Sequence, residues 1–394
     1  MIFFRRKALP YRAKKKLQTA RILDEFAVRR FRSLDDVTLR QLGGCNLLVG
    51  ANNSGKTSIL EALAVFASPL DISAWGIIAR MREVRHLALS RGLSSVEAIR
   101  WLFGQHANGT PTAPGLRGEF NLLAKGEWRV RDLAATCTEI RGLPPEPPRR
   151  PVRVQRDLSP LEEDQGWLVN ATISLNNPIS TDEANRVEAQ LWPSVGYYRG
   201  DRRTGPHLPA VTLAPYSHRN QPMQLRRLSE LIESNEKFSI VRLLTDLDPN
   251  IKDIEIITDR YTGAPSMLVR HRISGPVPVS VLGDGFRRAL EIALAIPRAR
   301  GGLLLIDEIE TALYVTFLQK LFSWLIRACQ EFGVQLFATT HSLEAITAMV
   351  NAIPDDSEGT TVAYHLGAPP EPSPKRYSAE MIQRLVRDRG LDIR

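Results

Sequence analysis

The chain has 394 residues, of which 52 are Lys or Arg and 43 are Asp or Glu, so its formal net charge at pH 7 is +9. This length suits one large domain or two moderate ones, and a hydrophobic fraction of 43% is ordinary for a globular protein with a buried core. The basic balance favours a polyanionic partner, nucleic acid first, over the alternative of an inert basic surface.

The cysteines and the hydrophobic runs exclude several classes of protein. Cys45, Cys137 and Cys329 are odd in number and far apart, which predicts neither a disulfide framework nor a cysteine metal site. No hydrophobic run approaches the length of a membrane span, and basic residues 5–7 directly follow the four residues at the start. We therefore expect a cytoplasmic protein that does not enter a membrane.

The first twenty residues form a basic arm without a hydrophobic period. Such an arm is typical of a tail that contacts phosphate backbones, and a solvated leader without a role is the alternative. Residues 22–28 and 36–39 are then predicted to be strands. We expect these two strands to form an antiparallel flank beside the next one.

Residues 50–57 read G-x-x-x-x-G-K-[ST], the phosphate-binding loop of nucleoside triphosphatases. The apolar run 45–49 before it and the helical spacing after it give the strand, loop and helix that the motif needs. Lys56 is expected to reach the β- and γ-phosphates of a nucleotide, and the Thr57 hydroxyl to bind Mg²⁺. An accidental glycine turn is the alternative. The residues assigned to nucleotide binding here are Gly50, Asn52, Asn53, Ser54, Gly55, Lys56, Thr57 and Ser58.

Residues 71–235 are harder to interpret and are assigned to an inserted α+β lobe. Helices are predicted at 77–89, 94–103 and 224–235, and strands at 118–123, 127–131, 167–175 and 194–198. The proline-rich stretch 144–151 is expected to be an exposed loop.

The last third alternates apolar strands with helices, which indicates a parallel sheet covered on both faces. The apolar strand 303–306 ends in Asp307 and Glu308. Asp307 is assigned to Mg²⁺ binding, and Glu308 to polarising the attacking water. A surface turn carrying acids is the alternative.

The next predicted strand, 334–338, is followed by His341. Because parallel strands end at the same sheet edge, His341 could hydrogen-bond the γ-phosphate, although a lone histidine after a strand is usually structural. Lys56, Glu308 and His341 are the candidate catalytic residues.

The order of these motifs resembles the ABC-type AAA ATPase heads of the SMC and overcoming-lysogenization-defect (OLD) class. The matching segments are 50–57, 282–288, 305–310 and 338–342, and residues 390–394 resemble stand-alone bacterial members. The resemblance implies an α/β fold, an ABC-type P-loop NTPase head with a mixed sheet flanked by helices plus the inserted lobe. It is weak between 70 and 235.

In such heads two subunits sandwich two ATP molecules, so the resemblance implies a homodimer and allows a higher oligomer. Gly283, Asp284 and Gly285 would be the signature motif that contacts the opposite nucleotide. Arg32 matches an arginine beside the nucleotide, with Arg29 and Arg30 as competitors.

The chain also departs from this family. The signature serine is absent, and Asp284 would need to be neutralised by Arg287, Arg288 or a metal. Tyr314 stands where many stand-alone relatives carry histidine. The glutamine loop has two candidates, Gln105 and Gln155. OLD nucleases continue into an acidic nuclease domain that has no counterpart here, which implies a separate effector protein, a nuclease or another activity.

The expected division is a basic arm at 1–20, an ATPase N-lobe at 21–70, the insertion at 71–235, a C-lobe at 236–355 and a C-terminal basic helix at 356–394. The sequence predicts a Mg²⁺-dependent ATPase that dimerises on ATP and acts in phage defence or DNA repair. The alternatives are the nucleotide-binding subunit of an ABC transporter, a nucleotide-gated scaffold with little turnover, and a nuclease.

Overall fold

A computed structural model describes residues 21–82, 95–104, 116–144, 163–176, 185–193, 197–200, 205–219, 221–258, 263–352, 361–367 and 373–385. The predicted basic arm at 1–20, most of the proline-rich loop, both glutamine-loop candidates and the terminal segment 390–394 lie outside these ranges.

The strands are β1 (Leu23–Phe31), β2 (Leu34–Arg40), β3 (Cys45–Val49), β4 (Leu116–Gly126), β5 (Val130–Gly142), β6 (Asp164–Leu175), β7 (Arg186–Trp192), β8 (Tyr197–Gly200), β9 (Ala210–Leu213), β10 (Ile251–Thr258), β11 (Pro265–His271), β12 (Gly275–Pro278), β13 (Leu303–Ile306), β14 (Gln335–Thr339), β15 (Thr361–His365) and β16 (Lys375–Ser378). The helices are α1 (Lys56–Ala67), α2 (Ile72–Ala79), α3 (Ser95–Ile99), α4 (Gln221–Glu233), α5 (Lys237–Leu247), α6 (Asp284–Ala295), α7 (Val315–Phe332), α8 (Leu343–Ala352) and α9 (Ala379–Gln383).

A six-stranded sheet carries the phosphate loop. Its order is β16-β15-β3-β14-β13-β9, and every pairing except β15–β16 is parallel. Because a parallel sheet is covered on both faces, its strands are apolar at successive positions. Leu303 and Leu305 enter the hydrophobic core that contains α1, whereas Leu304 and Ile306 enter the core that contains α6, α7 and α8. The predicted parallel sheet is therefore confirmed.

A seven-stranded antiparallel sheet packs against α1 from the other side, with the order β2-β1-β4-β5-β6-β7-β8. The expectation that β1 and β2 flank β3 is wrong, because β1 pairs with β2 and β4. The predicted strand at 127–131 starts three residues too early, since residues 127–129 form the turn before β5. The strand β7, in which buried and more exposed residues alternate, was not predicted because the sequence around it is polar.

A smaller lobe consists of α4, α5 and the three-stranded antiparallel sheet β10-β11-β12. The strand β9, which lies inside the segment assigned to the insertion, pairs with β13 in the parallel sheet. The helix predicted at 77–89 is described only as far as the end of α2 and the following turn, and the predicted C-terminal helix only as α9 and the next two residues. No helix in the described ranges is long and apolar enough to cross a membrane.

Candidate functional site

The phosphate loop leads from the buried strand β3 into the N-terminus of α1. Gly55 directly precedes this helix with a φ of 89°. A Cβ atom at Gly50 would lie 2.5 Å from the carbonyl oxygen of Leu366, so this close approach of two backbone segments requires glycine. The loop therefore places the N–H groups of the first turn of α1 at the edge of the parallel sheet.

The ammonium group of Lys56 contacts the backbone at the start of the phosphate loop. Nζ donates hydrogen bonds to the carbonyl oxygens of Gly50 at 2.7 Å and Ala51 at 2.8 Å. Burial lowers the pKa of Lys56, while the carboxylates of Asp307, Glu308 and Glu310 oppose this shift. A cation thus lies among the loop carbonyls with three acids nearby.

Thr57 and Asp307 meet although they are 250 positions apart in the sequence. The Thr57 hydroxyl is 3.1 Å from both carboxylate oxygens of Asp307, and the Thr339 hydroxyl donates to Oδ1 of Asp307 at 2.6 Å. The ends of β13 and β14 and the start of α1 bring these three side chains together. The hydroxyl and the carboxylate that were each assigned to Mg²⁺ binding are therefore neighbours in the fold.

These groups fit a magnesium ion better than a metal held by protein alone. A hydroxyl and a carboxylate are hard oxygen donors, and Mg²⁺ is usually held by one or two carboxylates together with phosphate oxygens and water. Among the described residues, no group of three or more His, Cys, Asp or Glu side chains could hold a metal ion. Thr57 and Asp307 would thus bind an ion that shares its remaining ligands with a nucleotide.

Glu308 has a left-handed backbone conformation with a φ of 44°, which is uncommon for a residue other than glycine. Its N–H donates to the Thr339 hydroxyl at 2.8 Å, and its carboxylate accepts from the Thr311 hydroxyl at 3.2 Å. These two hydrogen bonds hold the strained turn. Glu308 lines the same pocket as Lys56.

His341 follows β14 and lines this pocket, and its side chain is 52% exposed. Its backbone N–H donates to Oε1 of Glu310 at 3.1 Å, and its Nδ1 lies 3.3 Å from the same oxygen. Glu310 therefore contacts the Nδ1 side of the ring, and Nε2 is the ring nitrogen that does not take part in this contact.

Arg32 does not line the pocket over the phosphate loop, whereas Arg82 does. Arg32 Nε lies 2.6 Å from Oε2 of Glu61, and Arg82 forms two hydrogen bonds to the same carboxylate, at 2.9 and 2.6 Å, and one to Ser58. Burial lowers the pKa of Arg32 and raises that of Glu61, while their mutual attraction opposes both shifts.

Sequence reasoning missed Arg82 because it extended the α2 pattern through this position. The available signal was Glu61, a charge inside the apolar run of α1, which needs a buried partner.

The signature segment begins α6, with Gly283 as the N-cap residue. Asp284 contacts Arg287 and accepts a hydrogen bond from Arg219 at 3.0 Å. Although desolvation opposes it, these two guanidinium groups hold the pKa of Asp284 below its ordinary value. Arg219, which lies on the loop after β9, was not foreseen.

Arg288, the other expected partner of Asp284, is fully buried instead and contacts Glu291 and the carbonyl oxygens of Ala214 and Asp307. Of the two arginines named as alternatives for neutralising Asp284, Arg287 therefore contacts it and Arg288 does not. Among the described residues that line the phosphate-loop pocket, none belongs to the signature segment 283–285.

The loop after β9 also lines a second pocket, which shares Thr57 and Asp307 with the first, through Ala214, Pro215 and Tyr216. The Tyr216 hydroxyl donates to the carbonyl oxygen of Met81, beside Arg82. This loop adjoins both the candidate metal ligands and the signature segment.

Two family models match the chain. Residues 176–347 match "AAA domain, putative AbiEii toxin, Type IV TA system", and residues 22–99 match "AAA ATPase domain". The first segment contains Asp307, Glu308 and His341, and the second contains the phosphate loop. These matches support an AAA ATPase.

The similarity to curated relatives is either low in sequence identity or limited to a short part of the chain. An "ATP/GTP phosphatase" of Helicobacter pylori is 21% identical over 359 residues, which cover 84% of this chain and 88% of that protein. The "DNA replication and repair protein RecF" of Teredinibacter turnerae is 34% identical over 127 residues, 32% of this chain and 29% of the relative. The uncharacterized protein MJECL10 of Methanocaldococcus jannaschii is 33% identical over 82 residues, 21% of this chain and 36% of that protein. The alignments with the last two thus span about a third of each relative.

Among solved structures, an SMC head bound to the C-winged helix domain of ScpA aligns over 91% of this chain and 98% of its own, with 12% identity and a TM-score of 0.47. The SMC head domain from Thermotoga maritima aligns over 90% and 98%, with 13% identity and a TM-score of 0.43. The assignment of the fold rests on the sheets and the phosphate loop of this chain. It is an α/β P-loop ATPase fold with sheets flanked by helices, as the sequence predicts.

Proposed function

We propose that the chain is a Mg²⁺-dependent ATP phosphohydrolase whose triphosphate binds in the pocket over the phosphate loop. The observation that carries this proposal is the contact between the Thr57 hydroxyl and the Asp307 carboxylate at 3.1 Å. A hydroxyl at the start of α1 and an acid at the end of β13 meet where a nucleotide-bound Mg²⁺ needs them.

The loop binds the β- and γ-phosphates through backbone N–H groups and the positive end of the α1 dipole. Lys56 exchanges its two carbonyl partners for phosphate oxygens, which are stronger acceptors because they are charged. Asn52, Asn53, Ser54 and Ser58 line the same pocket. Arg82 adds a guanidinium beside Ser58, and Arg32 acts indirectly by sharing Glu61 with it.

Thr57 and Asp307 would hold Mg²⁺, which would neutralise part of the charge on the phosphate oxygens. The Thr339 hydroxyl fixes the Asp307 carboxylate by its hydrogen bond at 2.6 Å. Glu308 takes a proton from the water that attacks the γ-phosphorus, and ADP leaves as the bond from the γ-phosphorus to the bridging oxygen breaks. His341 donates a hydrogen bond to a γ-phosphate oxygen.

We propose further that two copies of the chain dimerise around two ATP molecules, so that Gly283, Asp284 and Gly285 of one copy face the nucleotide of the other. This would explain why the signature segment lies outside the pocket of its own chain. The dimer, alone or in a higher oligomer, would regulate a separate effector protein.

The charge of +9 and the partial similarity to RecF, a DNA replication and repair protein, favour a nucleic-acid trigger. Phage defence in the manner of the OLD class and DNA repair are the two settings we propose. The chain would then act as an ATPase in the cytoplasm.

ATP turnover with and without Mg²⁺ tests the proposal, on wild type, Asp307→Asn and the control Asp36→Asn. Asp36 is an exposed acid that pairs with Arg29 away from the pocket. We expect Mg²⁺-dependent turnover that falls about a hundredfold in Asp307→Asn and is unchanged in the control. Equal turnover in all three proteins would overturn it.

A further inference from the structure

The signature segment lacks the serine hydroxyl that its resemblance to ABC-type heads implies. We propose that Arg219 takes this place: in the ATP-bound dimer, Arg219 of one copy contacts the γ-phosphate bound by the other copy. This inference rests on the proposed dimer and assigns a charged side chain from a distant loop to its interface.

Asp284 holds Arg219 at the start of α6. The Arg219 guanidinium donates to Oδ2 of Asp284 at 3.0 Å, and Arg287 contacts Oδ1. Two guanidinium groups around one carboxylate leave a net positive charge. Asp284 alone would repel a triphosphate, but together with Arg219 and Arg287 it forms a cationic group that can attract one.

The Arg219 side chain remains available to a ligand. It is 67% exposed, and its hydrogen bond to Asp284 uses only one of its nitrogens. A guanidinium has five N–H donors in a planar fork, so it can hold a carboxylate and a phosphate at once. The neighbouring N-terminus of α6 is also uncovered in this chain, because a Cβ atom at Gly283 would meet no heavy atom within 4 Å.

A buried histidine supports Asp284 from behind. His218 Nε2 lies 3.8 Å from Oδ2 of Asp284 and has no hydrogen-bond partner among the described residues, while Nδ1 contacts the carbonyl oxygen of Pro215. Because Pro215 belongs to the loop that lines the pocket beside Thr57, the loop holding Arg219 adjoins the nucleotide site of its own copy. One loop could thus respond to both nucleotides of the dimer.

The alternative is that Arg219 only neutralises Asp284. The double variant Arg219→Ala/Asp284→Ala separates the two roles, because it removes the cation together with the charge that needs neutralising. We expect turnover to fall at least tenfold in Arg219→Ala, to stay low in the double variant and to recover partly in Arg219→Lys. Wild-type turnover in the double variant would overturn the proposal. The control is Arg226→Ala, an exposed arginine that pairs with Glu230 on α4.

Mixing two impaired variants tests whether Arg219 acts across the dimer. In a mixed dimer of Lys56→Ala and Arg219→Ala, one site combines an intact phosphate loop with an intact Arg219 from the other copy. We expect equimolar mixing to recover up to about a quarter of wild-type turnover, since half of randomly formed dimers are mixed and each has one intact site. A mixture no more active than the separate variants, with mixed dimers verified by differential tags, would overturn the proposal.

Two further measurements distinguish this inference from the proposed function. At protein concentrations too low for dimerisation, Arg219→Ala should bind a fluorescent ATP analogue as tightly as wild type, because Arg219 does not line the phosphate-loop pocket of its own chain. If wild type binds ATP but stays monomeric, the dimer and this inference both fail. If wild type dimerises and turns over ATP and Arg219→Ala matches it, this inference alone fails.

Discussion

The phosphate-loop side and the signature side of this molecule are built in different ways. On the first, short motifs at the ends of β3, β13 and β14 meet because neighbouring parallel strands end at one sheet edge. On the second, Asp284 accepts a hydrogen bond from Arg219, which lies on a loop distant in the sequence. Local motifs therefore identify the first side, whereas the second depends on ion pairs between distant segments.

The buried charges beside the phosphate loop offer the strongest test of this comparison. Glu61, whose side chain is 3% exposed, balances Arg32 and Arg82. Glu61→Ala leaves the buried Arg32 without its partner, so we expect a loss of about 3 kcal/mol in the free energy of unfolding. Chemical denaturation measures this loss, with Glu25→Ala at the more exposed Lys125 pair as control. Equal losses in the two variants would contradict the account.

The next effect concerns turnover rather than stability. His341→Ala removes the ring that Glu310 holds beside the pocket, and we expect kcat to fall about tenfold with KM nearly unchanged. The matched control is His271→Ala in the smaller lobe, where the His271 ring lies 3.4 Å from the Asp248 carboxylate. A change in KM alone would show that His341 contributes to binding and not to the chemical step.

The smallest effect lies on the signature side and depends on pH. Burial, and then the nearby Arg288, lower the pKa of His218. As pH falls below about 6.5, the ordinary histidine value, the unfolded chain binds a proton that the folded chain does not, so folding loses stability. Thermal unfolding at pH 7.5 and 5.5 should show a smaller decrease in His218→Gln than in wild type. The same decrease in both would contradict this assignment.

Much of the phosphate-loop side could be predicted from the sequence. One pocket is lined by Lys56, Thr57, Asp307, Glu308 and His341. They meet there because the first two begin α1 and the other three follow β13 and β14, strands of the same parallel sheet. The roles assigned to them stay predictions.

The remaining features depend on packing that no local pattern records. Arg32 pairs with Glu61 in place of facing the pocket, Arg82 enters it from the turn after α2, and β1 joins the antiparallel sheet. Each of these arrangements is decided by a partner distant in the sequence. The available sign in the sequence was Glu61, an acid inside the apolar helix α1, which needs a buried basic partner.

The most direct test of the central claim is ATP turnover and molecular mass in ATP and Mg²⁺, measured on wild type and Glu308→Gln. The account predicts that the variant binds ATP with wild-type affinity, loses at least a hundredfold in kcat and accumulates as a dimer, because the attacking water lacks its base. The control variant Glu310→Gln, two positions further along the same turn, would retain the base. A monomeric Glu308→Gln protein with undiminished turnover would contradict the account.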